Sequence, residues 1–503
     1  MKLDTGTELP EKFVLTKEFK DTFDLINKTD TNLFITGKAG SGKSTLLEYF
    51  RQNTNKNFAT LAFQGITAIK AKGQTIHSFF KLGPHFLGKD DVKELRDKQV
   101  IQNLDTILID EISMVRADLF DAIDLSLKKN RKNDKPFGGV QMVLFGDVMQ
   151  IDPIVGSDDE VMEKFYPNGP FFFNSKSYSK KDFKQIELTK IFRQSDKKFV
   201  NLLNKIRMNK LQNEDLSILN NQLINREEVP KDTIILAPTN RKVDDINNTN
   251  LYKLTTPTFN YNAIVKGSWK DKEHPVKKEI VLKVGAQVMI TKNDTDEPKR
   301  WVNGTLGIIT FLSKDQIKIK IKDKIFSLGK TKWDKYNYKF SGNKVNAFSV
   351  GSFIQFPLKL AWATTIHKSQ GQTFDNVSID LDTGSFAHGQ TYVALSRAKS
   401  LEGISLLKKI QKKDIIFDAR VLEFIGQKLE SKYISEILKN APKSKKKIMP
   451  KSSKSNSNEW TTSDDNKLLA LYKRNVPEFA LAKILKKSIT QIRERIMYLM
   501  KNN

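Results

Sequence analysis

Apolar residues follow two different rhythms along this chain. In the first part, short solid runs alternate with helical spacing. NLFITG (32–37), NFATLAF (57–63), DTILIDE (105–111) and VQMVLFGD (140–147) have the length and composition of buried strands. Between them, KSTLLEYFRQN (43–53) and RADLFDAIDLSLKKN (116–130) space apolar residues three and four apart, as one face of a helix requires. Strands too apolar to have a wet face, alternating with helices, predict an α/β doubly wound sheet. Ligands of such sheets bind beyond the C-terminal ends of the strands.

A second α/β set follows. TIILAPTN (233–240) predicts a strand and turn, and VSIDL (377–381), TYVALSRA (391–398) and ISLL (404–407) read as its later strands. Over 252–345 the rhythm becomes strict alternation, as in QIKIKIKDKIFSL, which predicts a small β-barrel inserted into the second α/β domain. The expected borders are 1–210 for the first domain, 211–251 with 346–440 for the second, and 252–345 for the insertion. APKSKKKIMPKSSKSNSN (441–458) carries six lysines and no acid, and predicts a flexible basic linker. Residues 459–503 read as three short helices, with Thr462 or Ser463 and Ser488 as N-caps.

Composition narrows the function classes. The 503 residues carry 85 Lys and Arg against 58 Asp and Glu, a net charge of +27. Such a surplus implies a polyanionic partner, most simply nucleic acid; the alternative is a Lys- and Asn-rich bias spread over every surface. Cysteine is absent, which excludes disulfides and thiolate metal sites. The sequence contains no apolar stretch long enough for a membrane span, and its N-terminus lacks the core of a secretory leader. A cytoplasmic, nucleoid-associated protein of bacterial type, with no membrane partner, is expected.

The candidate chemistry starts at GKAGSGKS (37–44), which satisfies G-x-x-x-x-G-K-[ST] between an apolar run and a helical pattern. Gly37, Gly40 and Gly42 let backbone N–H groups close around phosphates at a helix N-terminus. Lys43 would reach the outer phosphates, Ser44 would offer its hydroxyl to Mg²⁺, and Thr45 completes the nucleotide-binding segment. TILIDEIS (106–113) ends a strand in two carboxylates. Asp110 suits the Mg²⁺ shell and Glu111 suits polarising an attacking water. In LFGDVMQIDP (144–153), Gln150 can sense the terminal phosphate and Asp147 can help hold the site. By itself that segment also reads as a surface turn. Arg193 in KIFRQSD and Arg397 in YVALSRA have the polar contexts of arginine fingers.

Taken in order, GKAGSGKS, LIDEISMVRADLFDAID, PFGGVQMVLFGDVMQ, IFRQSD, TTIHKSQGQTF and YVALSRA resemble the motifs of superfamily 1 helicases. ISMVRADLFDAID followed by PFGGVQ resembles the Pif family of 5′→3′ DNA helicases in particular, with RecD-like and Dda-like relatives. The resemblance covers about residues 12–410. It implies two RecA-like domains with ATP in the cleft between them. It also implies a small wedge-bearing insertion in the first domain, at about 65–100, and an SH3-like barrel in the second. Lys43, Ser44, Asp110, Glu111 and Gln150 then form the first domain's half of the ATP site, and Arg193 and Arg397 are its fingers. QGITAIKAKGQTIHSFF (64–80) matches a segment that meets single-stranded DNA, which makes Thr75, His77 and Phe79 candidates. APTN (237–240), with Thr239 and Asn240, matches a backbone-contact segment of the second domain, and VNGTLG (302–307) matches the barrel. In TTIHKSQGQTF (364–374), Thr365, His367 and Lys368 suit the DNA side, and Gln370 and Gly371 the nucleotide side.

The chain departs from the family at three points. Phe19, in LTKEFKDTF (15–23), stands where the family has an adenine-reading glutamine. FQG (63–65) replaces the usual Pro-Thr-Gly, so Phe63 is placed either to stack on a base or to end its strand. IDP follows Gln150 where the family has Leu-Pro-Pro. The C-terminal segment resembles a Myb/SANT-like or helix-turn-helix appendage. There Trp460, Leu468, Leu471 and Ile484 would form a core, with Arg493 and Arg495 on the last helix; a three-helix docking domain is the alternative.

His367 has no second histidine three or four residues on, so a local zinc motif is absent. It is left as a coupling residue or as a buried histidine satisfied by backbone. The expected protein is a monomeric ATP hydrolase coupled to DNA strand separation, in repair, recombination or replication. Its cofactors would be ATP and Mg²⁺, and its partners single-stranded DNA and single-strand/duplex junctions. A non-enzymatic DNA-binding or scaffold protein with a P-loop, and a related motor of other polarity or on RNA, are the alternatives.

Overall fold

The structure, a computed structural model, describes residues 13–426 apart from single positions and short breaks, together with Leu9, Asp465, Leu468, Arg495 and Leu499. Six strands build the first sheet: β1 (Asn32–Gly37), β2 (Phe58–Ala62), β3 (Gln74–Thr75), β4 (Thr106–Asp110), β5 (Gln141–Phe145) and β6 (Phe183–Leu188). All are parallel, in the order β3-β2-β4-β5-β1-β6. Alternation along each strand feeds two buried faces. Leu33, Ile35, Leu108, Val143 and Phe145 pack with Phe19, Leu46 and Phe50 of the helices Lys17–Lys28 and Lys43–Asn53. Phe34, Ile107, Ile109, Met142 and Leu144 pack against Phe120, Ile123 and Leu127 of helix Ala117–Arg131. Each fully buried large apolar side chain contributes roughly 1.5–3 kcal/mol. The registers Ile35↔Phe145 and Ile109↔Leu144 level the C-terminal ends of β1, β4 and β5 with one another.

The second sheet begins with β7 (Ile234–Ala237) and is then interrupted. Among the described residues, ten strands follow: β8 (Thr258–Asn262), β9 (Ile264–Gly267), β10 (Glu279–Lys283), β11 (Gln287–Ile290), β12 (Leu306–Leu312), β13 (Ile317–Ile321), β14 (Lys324–Leu328), β15 (Thr331–Ser341), β16 (Lys344–Gln355) and β17 (Leu358–Leu360). They form a β14-β13-β12-β11-β17 sheet, a β10-β8 pair and a β15-β16-β9 sheet around their own core of Val288, Ile309, Ile319, Phe353 and Phe356. The second sheet resumes with β18 (Ala363–Thr365), β19 (Val377–Ile379) and β20 (Ile404–Leu406), parallel, in the order β18-β7-β19-β20.

Two expectations change here. The β-rich insertion runs to Leu360 rather than 345, because β16 continues the ladder with β15 and β17 pairs with β11. The hairpin between β15 and β16 turns on Gly342 and Asn343, both at φ 60°, as a two-residue turn with positive φ demands. TYVALSRA is not a strand: Gln390–Leu395 is a helix, started by Gly389 at φ 67°, with all six residues buried. A fully buried run has no periodicity to tell helix from strand.

The β15–β16 hairpin leans on the edge of the first sheet. Thr60 N–H donates to Tyr338 Oη (2.8 Å), and Gln74 Nε2 donates to Asn337 Oδ1 (2.8 Å). Among the described residues, no helix is long and apolar enough to cross a membrane. Near the C-terminus, Arg495 pairs with Asp465 (2.7 Å) and Leu468 is buried. The linker 441–458, the caps Thr462, Ser463 and Ser488, and Trp460, Leu471, Ile484 and Arg493 lie outside the described residues.

Candidate active site

The glycine-rich loop leaves the end of β1 and enters helix Lys43–Asn53. Gly40 and Gly42 have φ of 81° and 85°, in the left-handed region. A Cβ on Gly40 would lie 2.4 Å from Arg193 Cβ, and one on Gly42 would lie 2.7 Å from the Phe19 ring. Only glycine lets the loop approach segment 192–193 this closely. Lys43 is half-buried, and its Nζ donates to the carbonyls of Gly37 (2.6 Å) and Lys38 (3.3 Å). Burial pulls its pKa down, and the Asp147 and Glu111 carboxylates oppose that pull.

Asp110 ends β4. Glu111 follows at φ 51°, ψ 50°, a left-handed conformation that costs a non-glycine residue roughly 1–2 kcal/mol. Its N–H donates to Asp110 Oδ1 (3.0 Å), and the turn sends its carboxylate into the cleft. Burial, and next the Glu111 charge, push the Asp110 carboxyl up to about 7. Burial raises Glu111 too, and its Oε2 is buried with no hydrogen-bond partner. Two crowded carboxylates and the Ser44 hydroxyl are hard oxygen donors. That set fits a small divalent cation held together with phosphate oxygens, as Mg²⁺ is.

Beyond β5, Asp147 and Gln150 are buried. Burial alone would raise Asp147, but Arg207 and then Lys43 hold its carboxyl below the ordinary range; Arg207 is paired with it at 3.0 Å. Gln150 Nε2 donates to Asp147 Oδ2 (3.4 Å), and Gln150 Oε1 accepts from Gln370 Nε2 (3.3 Å). The last bond joins the two sheets. A cleft of about 660 Å³ lies between them, lined by Gly40, Gly42, Lys43, Ser44, Thr45, Glu111, Gln150 and Arg193 on one side and by Gly371 and Arg397 on the other. Arg193 Nη1 donates across to Ser396 O (3.3 Å), and Ala39 N–H donates to Tyr392 Oη (3.3 Å). The structure thus gathers most of the nucleotide-side candidates at the cleft, while Gly37, Asp110 and Gln370 stand one contact back, bonded to Lys43, Glu111 and Gln150.

The candidates for nucleic acid separate into two groups. Thr239 caps helix Asn240–Lys253, Asn240 Oδ1 accepts from Lys368 Nζ (3.0 Å), and Thr365 Oγ1 accepts from Lys368 N–H (3.2 Å). Thr239, Asn240 and Lys368 are exposed, while Thr365 is buried and acts as the brace. Half-buried His367 follows β18, and burial lowers its pKa toward the neutral imidazole. Among the described residues there is no cluster of His, Cys, Asp and Glu fit for a metal. On the first sheet, Thr75 caps helix Ile76–Phe80, and Phe63 packs edge-on against His77 (5.7 Å) just past β2. Phe79 does not join them: it is buried between Phe80 (4.9 Å) and Tyr338 (5.8 Å), because the hairpin covers that side of the helix.

Residues 14–217 match the PIF1-like helicase family, and residues 360–401 match the UvrD-like helicase C-terminal domain. The chain is 31% identical over 424 residues to the ATP-dependent DNA helicase Pif1 of Bdellovibrio bacteriovorus, covering 82% of this chain and 92% of that protein. The chain belongs to the PIF1-like helicase family. It is 32% identical over 429 residues to the ATP-dependent DNA helicase PIF1 of Danio rerio, matching 79% of this chain and only 64% of that longer protein. Unliganded Pif1 from Bacteroides sp. superposes with a TM-score of 0.75 at 36% identity, over 82% of this chain and 97% of that one. Bacteroides Pif1 in complex with ADP-AlF3 and single-stranded DNA gives 0.61, also at 36% identity, over 82% and 97%.

Within this PIF1-like framework several site residues carry no local sequence signal. Arg207 ends helix Lys197–Arg207 sixty residues after Asp147, and its role exists only in the folded pair. Tyr392 is found through the loop N–H it accepts. Lys359 sits close enough to Lys70 and Lys368 that burial and their charges press its pKa down to about 8. An ammonium crowded by two others suits a polyanion. Arg207→Ala is expected to destabilise the protein by about 3–5 kcal/mol, because it strands the Asp147 carboxylate in the interior. Urea denaturation measures this, and a loss under 1 kcal/mol contradicts the buried pair.

Proposed function

We propose that this chain is an ATP-driven DNA helicase that moves 5′→3′ along single-stranded DNA and separates the duplex ahead. The observation that carries the reading is one cleft that gathers Lys43, Glu111, Gln150 and Arg193 from the first sheet with Arg397 from the second. The nucleotide's phosphates are held by the loop N–H groups and Lys43. Ser44 and Asp110 would hold Mg²⁺, which supplies charge neutralisation at the phosphates. Glu111 orients a water and accepts its proton as the water oxygen bonds to the terminal phosphorus and the bond to ADP breaks. Arg193 and Arg397 offset the charge that develops on the transferring group. The Gln370–Gln150 bond reports the state of the terminal phosphate from one sheet to the other. His367 and Lys368 precede Gln370 by three and two residues, and Lys368 bonds Asn240 and faces Lys359, so a change at the cleft reaches the DNA face.

The names of the relatives and the Bacteroides complex with ADP-AlF3 and single-stranded DNA support the substrate. We read the β8–β17 insertion as the SH3-like barrel of this family, residues from about 65 to 100 as the wedge, and the C-terminal residues as an accessory nucleic-acid-binding module. The protein acts as a monomer in repair, recombination or replication. Grip through phosphates makes affinity fall as salt rises. Duplexes with a single-stranded tail at one end test the reading. Unwinding with ATP is expected from a 5′ tail and not from a 3′ tail. Unwinding from 3′ tails alone overturns the polarity, and no DNA-stimulated hydrolysis at all favours a non-enzymatic DNA-binding protein.

A further inference from the structure

Away from the lysine and carboxylates, the nucleotide cleft ends in hydrocarbon: Phe13, Val14, Phe19 and Phe192 line it beside Gly42. Phe19 is a fixed wall. Its N–H donates to the capping Thr16 Oγ1 (3.2 Å), its side chain is 2% exposed, and its ring presses on Gly42. Phe13 lies 6.4 Å from it, stacked on Tyr49 at 5.3 Å. Phe192 is different. Its backbone N–H donates to Gly40 O (2.9 Å), which locks the residue to the phosphate loop. Its ring meets Phe19 edge-on at 6.1 Å and 60°, and the residue stays 49% exposed. The Lys190 ammonium lies over the ring at 5.2 Å, and an aromatic ring anchored to the phosphate loop and still half exposed is a stacking platform on the face that the lysine leaves free. None of the four side chains at this end carries a hydrogen-bond donor or acceptor.

A nucleobase offers two things to recognise: a π-face, which every base has, and a polar edge, which differs among bases. Stacking on an aromatic ring is tolerant of base identity. Discrimination of the order of 10⁴–10⁵ comes from site groups that hydrogen-bond a particular edge and are left unpaired by the wrong one. Among the described residues, the side chains of the aromatic end offer the first kind of contact only. We propose that this cleft takes nucleoside triphosphates without reading the base, Phe192 stacking on it and Phe19 walling it, so that GTP, CTP and UTP drive the protein as ATP does. The inference rests on the reading as a nucleotide-driven motor and names its fuel class.

The test is phosphate release by the full chain with single-stranded DNA and the magnesium salts of ATP, GTP, CTP and UTP in turn. Expected kcat/KM values fall within about tenfold of one another, purines ahead of pyrimidines because they stack over more area. A preference for ATP over GTP beyond tenfold overturns the inference and leaves the motor reading intact, whereas hydrolysis of none of the four removes the motor reading itself. Phe192→Leu keeps apolar bulk while removing the ring. It is expected to raise KM for all four nucleotides by a similar factor; a rise confined to ATP, or no rise at all, also overturns the proposal.

Discussion

Arg397→Ala is expected to lower DNA-stimulated ATP hydrolysis by ~10³–10⁵-fold, the range that a guanidinium on the transferring phosphoryl group supplies. Arg397 is 1% exposed, among the largest side chains so completely buried in the described residues. Its Nε donates to Val393 O (2.8 Å), Nη1 to Ser369 O (3.2 Å) and Gln372 O (3.3 Å), and Nη2 to Ser396 Oγ (2.8 Å). These bonds fix the plane of the fork at the cleft wall. Among the described residues it forms no ion pair, and burial and then the Arg193 guanidinium work against its charge. A buried cation held by carbonyls and one hydroxyl, next to a second cation, is poorly compensated until an anion enters the cleft. Because those bonds also support the fold, Arg397→Lys is the companion variant. It keeps the charge as a point but not the fork, so folding recovers more than the rate does. Single-turnover hydrolysis with saturating ATP and DNA, beside a thermal melt, separates the two effects. A folded Arg397→Ala protein within tenfold of the wild-type rate removes the finger assignment.

How much of this was legible in the sequence follows from how local each signal is. The cores of β1, β2, β4 and β5 are solid apolar runs because both faces of the sheet are covered, and the two flanking helices show their spacing equally well. The phosphate loop is readable because its glycines, lysine and serine must stand at fixed intervals on one turn. β6 reads FKQIEL, with three of its six residues exposed, and looks like no buried strand because it lies at the sheet's edge. Gln390–Leu395 reads as a strand because total burial erases the helical stripe. Phe79 reads as a DNA contact because no short-range pattern reveals that Tyr338, far along the chain, covers it. The same distance hides the active half of the site: Gln150 and Gln370 are 220 residues apart and Asp147 and Arg207 are 60 apart. Each is an ordinary polar residue until the chain closes.

Glu111→Gln is expected to abolish strand separation while DNA binding is kept, with hydrolysis reduced by ~10²–10⁴-fold, the usual worth of a positioned general base. The carboxylate sits in the cleft on a left-handed residue, and one of its oxygens has no hydrogen-bond partner. Burial raises its pKa, and the Lys43 and Arg397 charges limit that rise, so it is a base stronger than an exposed glutamate yet still poised against two cations. The amide has the same shape and cannot take a proton. It also removes one of two crowded buried charges, so Glu111→Gln should melt no lower than the wild type; a structural role would predict the reverse. Lys43→Ala provides the contrast. It removes the ammonium that the loop carbonyls hold at the cleft, so nucleotide binding itself should fail, whereas Glu111→Gln should bind nucleotide normally and stall with it. Equilibrium binding of a fluorescent nucleotide distinguishes these outcomes. Unwinding by Glu111→Gln at the wild-type rate would remove the water-activating role from Glu111, and Asp147 is already paired with Arg207.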